Sequence, residues 1–266
     1  MNNQRVKTLY YRLIPAKNVN YKKAQPIFED TDDFRMSIDD DNAIFEMKKC
    51  YATVDEARGI VDNYLYQWEI LIGLEHAPDD LIFKFQRADI IDKQISTNDK
   101  HIINVDSAHH IIFSDEVTVN VSYGKYPNRP KFFSMSPDVR TMYFRYKEYK
   151  QGREPLTSMA YMCLTIFQTS VRELEGPKKK SNLREKAACC YKIDKKVLDK
   201  IGELTSKGNE KEARKFDTKN KGFIPLTPQE KEWIEKAVKI LIRRAGEWAY
   251  DSTILQQITM DDLPNL

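Results

Sequence analysis

The sequence is poor in the residues and motifs on which many phosphate-, metal- and thiol-dependent enzymes rely. It has nine glycines in 266 residues and lacks the phosphate-binding patterns GxxxxGK[ST] and GxGxxG and the nucleophile motif GxSxG. All four histidines lie in the first half, without HExxH spacing, and the four cysteines form no CxxC pair. These absences argue against the corresponding enzyme classes, and we predict neither a metal site nor a cofactor.

Long apolar runs are also missing. No run approaches the roughly 20 residues that are needed to span a bilayer. The first residues, MNNQRVKTLYYRLIP, contain no apolar core and no small-residue cleavage site of a secretory signal. Cys189 and Cys190 are adjacent and would be poor disulfide partners for each other. We therefore expect a cytosolic protein that has reduced cysteines and makes no membrane contact.

The composition indicates a folded protein with two parts of opposite charge. Apolar residues make up 41% and charged residues 31%, which is typical of a globular chain. Residues 1–135 carry 17 Lys+Arg and 21 Asp+Glu (net −4), whereas residues 136–266 carry 26 and 19 (net +7). We predict two domains, residues 1–130 and 137–266, joined by the proline-containing linker Tyr126–Phe133.

The first domain is predicted to be an α+β domain with a mainly antiparallel sheet and one long packed helix. The helix signal is a capping box, Thr53 to Glu56, followed by apolar residues at helical spacing that include Trp68. Several stretches have the alternation or composition of strands. They are Val6–Pro15, Ala43–Tyr51, Leu81–Ile91, His101–Val105, His109–Phe113 and Val117–Tyr123.

The second domain is predicted to be an all-α helical bundle. Pro155–Leu174 is apolar on nearly all sides, as expected for a buried central helix. Thr227-Pro228-Gln229-Glu230 is a second capping box, and it opens a long last helix that carries Trp233 and Trp248. We expect the tail from Ser252 to be loosely held.

An acidic cluster in the first domain is the best candidate for catalysis. Asp33 and Asp39 precede a strand that carries Glu46-x-Lys48, and a helix follows. This order resembles the PD-(D/E)xK nuclease core, and the resemblance implies a magnesium ion on the acids and a lysine beside the attacked phosphate. The alternative is a solvated acidic hairpin.

A basic loop is the best candidate for anion binding. Lys178, Lys179 and Lys180 follow a Gly-Pro pair, and Arg184 lies in the first turn of the next predicted helix. Arg184 is unfavourable beside the positive end of that helix dipole unless a negative group lies near it. Arg214, Arg243 and Arg244 would extend the basic surface if the helices fold back. The alternative is a solvated lysine loop.

Residues 137–251 resemble the HEPN superfamily of small helical bundles. The resemblance rests on the order of the helices, on the central segment from Tyr161 to Phe167 and on the long capped last helix. It implies a place among prokaryotic toxin and defence proteins. The family's catalytic arginine followed by a histidine is missing, because the last histidine is His110.

Two functional hypotheses follow. The first is a non-catalytic interaction or regulatory protein, which would bind a protein partner, a second copy of itself or an anionic partner such as a nucleic acid, as a component of a defence or toxin-type system. The second is a metal-dependent nuclease or a HEPN-like ribonuclease component.

Overall fold

The computed structural model describes residues 4–16, 19–92, 101–104, 121–122, 124–175, 182–206 and 225–266. The chain divides into two compact units, Met1–Pro130 and Lys131–Leu266. None of the helices in these ranges is long and apolar enough to cross a membrane.

The first unit is built on a six-stranded sheet with the strand order β3-β4-β5-β1-β6-β7. All neighbouring strands of this sheet run antiparallel, and the long strand β1 lies between β5 and β6. A parallel pair, β2 with β8, lies outside the main sheet. The strands are β1 (Gln4–Pro15), β2 (Val19–Asn20), β3 (Ile27–Asp30), β4 (Phe34–Asp39), β5 (Asn42–Met47), β6 (Leu81–Asp92), β7 (His101–Asn104) and β8 (Val121–Ser122).

One long helix, α1 (Val54–Glu75), covers the inner face of this sheet. It begins at the predicted capping box, in which Thr53 accepts from the Glu56 amide and the Glu56 carboxylate accepts from the Thr53 amide. Trp68 is fully buried on Phe83, with ring centroids 5.4 Å apart, and belongs to the same apolar core as the strands. The predicted packing of Trp68 is therefore confirmed.

The second unit contains five α-helices and a short 3₁₀ turn among its described residues. The helices are α2 (Pro137–Lys150), α3 (Leu156–Glu175), α4 (Leu183–Cys190), α5 (Lys195–Leu204) and α6 (Pro228–Tyr250), and the 3₁₀ turn is Met260–Asp262. The central position predicted for α3 is confirmed, because it contacts α2, α4, α5 and α6. With the sheet and α1 of the first unit, these helices confirm the predicted α+β class.

Two irregular segments make contacts that periodicity did not indicate, and for one of them, the tail from Ser252, the prediction of loose attachment is wrong. The stretch predicted as a linker is packed: Tyr126 is buried, stacks on Tyr21 and donates to the Asp40 carbonyl oxygen, and Phe133 is buried in the second unit. The tail from Ser252 is also held. Ile258 forms a bridge with Ile193, donates to the Lys192 carbonyl oxygen and accepts from the Asp194 amide. The periodicity of the sequence does not reveal how such segments are held, because each makes only a few contacts with residues that are distant in the sequence.

Some predicted elements lie outside the described residues. They are the strand His109–Phe113, most of the strand Val117–Tyr123, Arg214 and the three lysines Lys178, Lys179 and Lys180.

Candidate functional site: the outer face of the sheet

The predicted catalytic residues lie on the β4–β5 hairpin and in the loop before it. Asp33 and Lys48 are together at one end, where the Lys48 amide donates to the Asp33 carbonyl oxygen. Their side chains have other partners. Lys48 pairs with Asp30 and donates to the Thr31 carbonyl oxygen, and the Asp33 carboxylate accepts from Lys49 at 2.6 Å. These contacts close the loop between β3 and β4.

Glu46 and Asp39 are far apart on the same hairpin. Glu46 is opposite Arg35, whereas Asp39 is opposite Asn42 at the turn. The two positions are four residues apart on strand β5, or about 13 Å along the strand. The hairpin therefore does not bring the two acids to one ion. Among the described residues, no three His, Cys, Asp or Glu side chains are grouped so as to hold a metal ion.

Arg184 is the one described member of the predicted anion-binding set, and its guanidinium has an internal partner. It pairs with Asp199 of α5 at 2.9 Å, and Lys195 reaches the other oxygen of the same carboxylate at 2.6 Å. Asp199 thus supplies the negative charge that the position of Arg184 at the start of α4 requires. The guanidinium also lies against Gly202, where a Cβ atom would be 2.6 Å from its Nη2 atom.

Arg244, considered above as an extension of the basic loop, is a buried structural residue. Its side chain is only 5% exposed. It donates to the carbonyl oxygens of Tyr191 and Lys192 at 2.7 and 3.0 Å and to Glu247. Its cation stabilises the carboxyl end of α4, where the last carbonyl groups have no partner within the helix.

The sheet has a second face, opposite α1, which we call the outer face. Three rows of residues cross the strands on this face, as the register of the paired strands defines. The first row is Asp39–Asn42–Arg12–Lys84, the second is Phe28–Ser37–Ile44–Tyr10–Arg87, and the third is Asp30–Arg35–Glu46–Thr8–Asp89. Two predicted residues, Asp39 and Glu46, thus belong to one surface, although not to one site.

Phe28 is the most exposed large apolar side chain among the described residues. It is 74% exposed, while its neighbours in the chain, Ile27 and Glu29, are directed to the inner side. In its row, Ser37 lies next to Phe28, and beyond it Ile44 and Tyr10 are partly buried and form an apolar surface across β5 and β1. The middle row therefore presents an exposed aromatic ring at one end, with Ser37 between this ring and the two apolar residues.

The other end of the middle row is a fixed polar group. The Arg87 guanidinium stacks on the Tyr10 ring, 3.8 Å from its centroid, and pairs with Asp89 at 3.0 Å. The Tyr10 hydroxyl donates to the second oxygen of Asp89 at 2.9 Å. Desolvation and the hydrogen bond to Asp89 raise the pKa of Tyr10, so it remains a neutral donor at pH 7.

The charges of the three rows are balanced. Four basic residues (Arg12, Arg35, Lys84 and Arg87) accompany four acidic ones (Asp30, Asp39, Glu46 and Asp89), of which Asp89 is buried beside its partner Arg87. Arg35 pairs with Asp30 at 3.6 Å, and Arg12 pairs with Asp41 of the hairpin turn at 2.8 Å. The surface therefore lacks the single sign of charge that concentrates a polyanion.

Arg129 occupies one backbone group of the edge strand β3, which carries Phe28. Arg129 donates to the Phe28 carbonyl oxygen at 3.2 Å and pairs with Glu29 at 2.8 Å. An edge strand with free backbone groups would invite another strand to pair with it. Because Arg129 occupies this carbonyl group, we expect contact at Phe28 mainly through its side chain.

Sequence reasoning missed Phe28, because Pro26–Asp30 is too short for periodicity to define a strand. The alternation of Ile27, Phe28 and Glu29 gave the only signal, and it does not tell which face of the sheet is covered.

Comparisons of the chain with protein-family models, curated proteins and solved structures returned no match. The resemblance to the HEPN superfamily therefore stays a prediction.

Proposed function

We propose that the chain is a non-catalytic binding protein whose α+β unit docks a protein partner through the outer face of the sheet. The observation that carries this proposal is the 74% exposure of Phe28 on a paired, regular sheet. An exposed aromatic side chain on a rigid element loses little conformational freedom on binding and buries a large apolar area.

The balance of charge favours a protein over a nucleic acid as the partner. Binding to a phosphate backbone depends on an excess of Lys and Arg that releases counterions. The outer face instead has equal numbers of both signs, and Phe28, Ile44 and Tyr10 supply the apolar part of its middle row. This arrangement is typical of protein interfaces, in which an apolar centre is surrounded by a polar rim.

Only the helical unit supports a proposal about the kind of biological system in which the protein acts. Its resemblance to the HEPN superfamily supports a role in a prokaryotic defence or toxin-type system. In that setting the α+β unit would recognise the partner and the helical unit would serve assembly or regulation.

Affinity capture from the native host, with quantitative mass spectrometry, tests the docking surface. We compare the wild-type chain with Phe28→Ser and with the matched control Phe144→Ser, which removes another exposed aromatic ring (57% exposed) from α2. Both changes affect surface side chains, so folding should be preserved within about 0.5 kcal/mol. We expect Phe28→Ser alone to lose a partner that binds the purified wild-type chain directly.

Two results would contradict the proposal. One is retention of every specific partner by Phe28→Ser. The other is metal-dependent cleavage of generic DNA or RNA by the purified chain that is abolished by Glu46→Ala, which would support the nuclease hypothesis.

A further inference from the structure

A cavity of about 290 Å³ opens in the first unit at the carboxyl end of α1, apart from the outer face. Its volume is near the lower limit of ordinary ligand pockets, so it suits a small molecule. Apolar groups form much of its wall, and three polar side chains join them. The lining residues are Ala16, Val19, Tyr21, Ile72, His76, Asp80, Lys125, Tyr126 and Pro127.

The acidic group of this cavity is held in place by its own turn. The Asp80 amide donates to the Ala77 carbonyl oxygen, and one carboxylate oxygen accepts from the Ala77 amide at 3.1 Å. The Asp80 carbonyl oxygen also accepts from the Ala16 amide at 2.8 Å, which ties the turn to the end of β1. The second carboxylate oxygen has no hydrogen-bond partner within the described residues, so it is available to a donor.

The basic side of the cavity consists of Lys125 and His76. Both side chains are exposed, and neither has a hydrogen-bond or ion-pair partner among the residues that the structure describes. The last turn of α1 contains no basic residue, so its terminal carbonyl groups add negative potential near His76. The cavity thus offers one cation, one anion and the negative end of a helix.

We propose that this cavity binds a free apolar or aromatic α-amino acid. A purely anionic ligand would be repelled by Asp80 and by the carboxyl end of α1. A purely cationic ligand would be repelled by Lys125. A zwitterion satisfies both sides, with its ammonium group on Asp80 and the helix carbonyl groups and its carboxylate on Lys125. The side chain of the amino acid contacts the apolar wall formed by Val19, Ile72 and Pro127.

Calorimetric titration of the full-length chain with L-phenylalanine tests this assignment. A ligand of about 12 non-hydrogen atoms in a partly polar cavity should bind with a Kd of about 0.05–1 mM. Two analogues each lack one charge: 3-phenylpropionate has no ammonium group, and 2-phenylethylamine has no carboxylate. We expect each to bind at least about 10-fold more weakly, because one charged group of the cavity is left unpaired.

A pair of lysine variants gives the matched control. Lys125→Gln should weaken L-phenylalanine binding about 5- to 10-fold. It should leave 2-phenylethylamine binding unchanged, because this analogue has no carboxylate that could pair with Lys125. Lys7→Gln removes an exposed lysine of the same unit that belongs neither to the cavity nor to the three rows of the outer face, and it should change neither.

Three results would overturn the assignment: no saturable binding of L-phenylalanine or L-leucine at about 10 mM, equal binding of the singly charged analogues, or equal effects of the two lysine variants. The test is independent of the docking surface, because Phe28→Ser should leave amino acid binding intact.

Discussion

Gly246→Ala is expected to destabilise the helical unit, although alanine is the better helix former. Gly246 lies inside α6, where replacing glycine by alanine would by itself stabilise the helix by about 1 kcal/mol. The ring of the buried Phe133 occupies the space beside it. A Cβ atom at position 246 would be 2.6 Å from the Phe133 Cζ atom and closer still to two other ring atoms. The Ser134 amide donates to the Gly246 carbonyl oxygen at 2.9 Å, which holds this segment on the helix.

The size of the destabilisation by Gly246→Ala depends on how the structure accommodates the added methyl group, and there are two ways. If the ring leaves, the lost burial of a phenylalanine side chain costs about 1.5–3 kcal/mol. If the ring stays, the overpacked segment and helix must shift, at a cost of about 1–3 kcal/mol. Either cost is offset by about 1 kcal/mol of helix propensity. We therefore expect the free energy of unfolding to fall by up to about 2 kcal/mol.

Urea unfolding followed by circular dichroism measures this change, and two controls isolate its cause. Gly59→Ala places a methyl group inside α1 with no atom within 4 Å, so it should stabilise the chain by about 1 kcal/mol. In a Phe133→Ala background, Gly246→Ala should also become stabilising, because the ring is gone. A stabilising Gly246→Ala in the wild-type background would refute the packing argument.

Three further changes test other parts of the fold by the same unfolding measurement. Trp68→Ala should cost about 3–5 kcal/mol, because its ring is fully buried. Arg244→Met should cost about 2–3 kcal/mol, because the Tyr191 and Lys192 carbonyl groups lose a charged donor. Burial raises the pKa of Glu235, but the bonds from Lys150 and Tyr149 outweigh it and the net pKa is lowered. Glu235→Gln should therefore cost about 1–2 kcal/mol at pH 7, and this cost should disappear as the pH falls below 4.5, where the carboxylate takes up a proton.

Each of these three expectations has a contradicting result. Loss of less than about 1 kcal/mol in Trp68→Ala would show that the ring is not core. Full rescue by Arg244→Lys would contradict the argument, since one ammonium group cannot span both carbonyl groups and Glu247. A cost of Glu235→Gln that is constant with pH would contradict the lowered pKa.

Local signals predicted the helices well because their causes are local. The capping boxes at Thr53 and Thr227 join residues three apart, and both helices begin where the boxes predict. Asn182 and Asp194 likewise cap α4 and α5. The alternation of Phe45 and Met47 with Glu46 predicted the two faces of β5.

Distant contacts could not be predicted in the same way. Nothing in the periodicity of β1 indicates that β5 and β6 are its two neighbours, so the three rows of the outer face became visible only with the register. The partners of Arg184 and Arg244 are 15 and 52–53 residues away, and only the packing of helices brings them together. Phe28 lies on a strand of four residues, which is too short for a pattern.

Site-specific photo-crosslinking tests the central claim most directly. The chain carries p-benzoylphenylalanine in place of Phe28 in one variant and in place of Phe144 in the other, and both are irradiated in cells of the native host. The docking surface predicts one defined protein adduct at position 28 and none of that protein at position 144. Failure to form a specific adduct at position 28, or formation of the same adduct at both positions, would contradict the outer face as the binding surface.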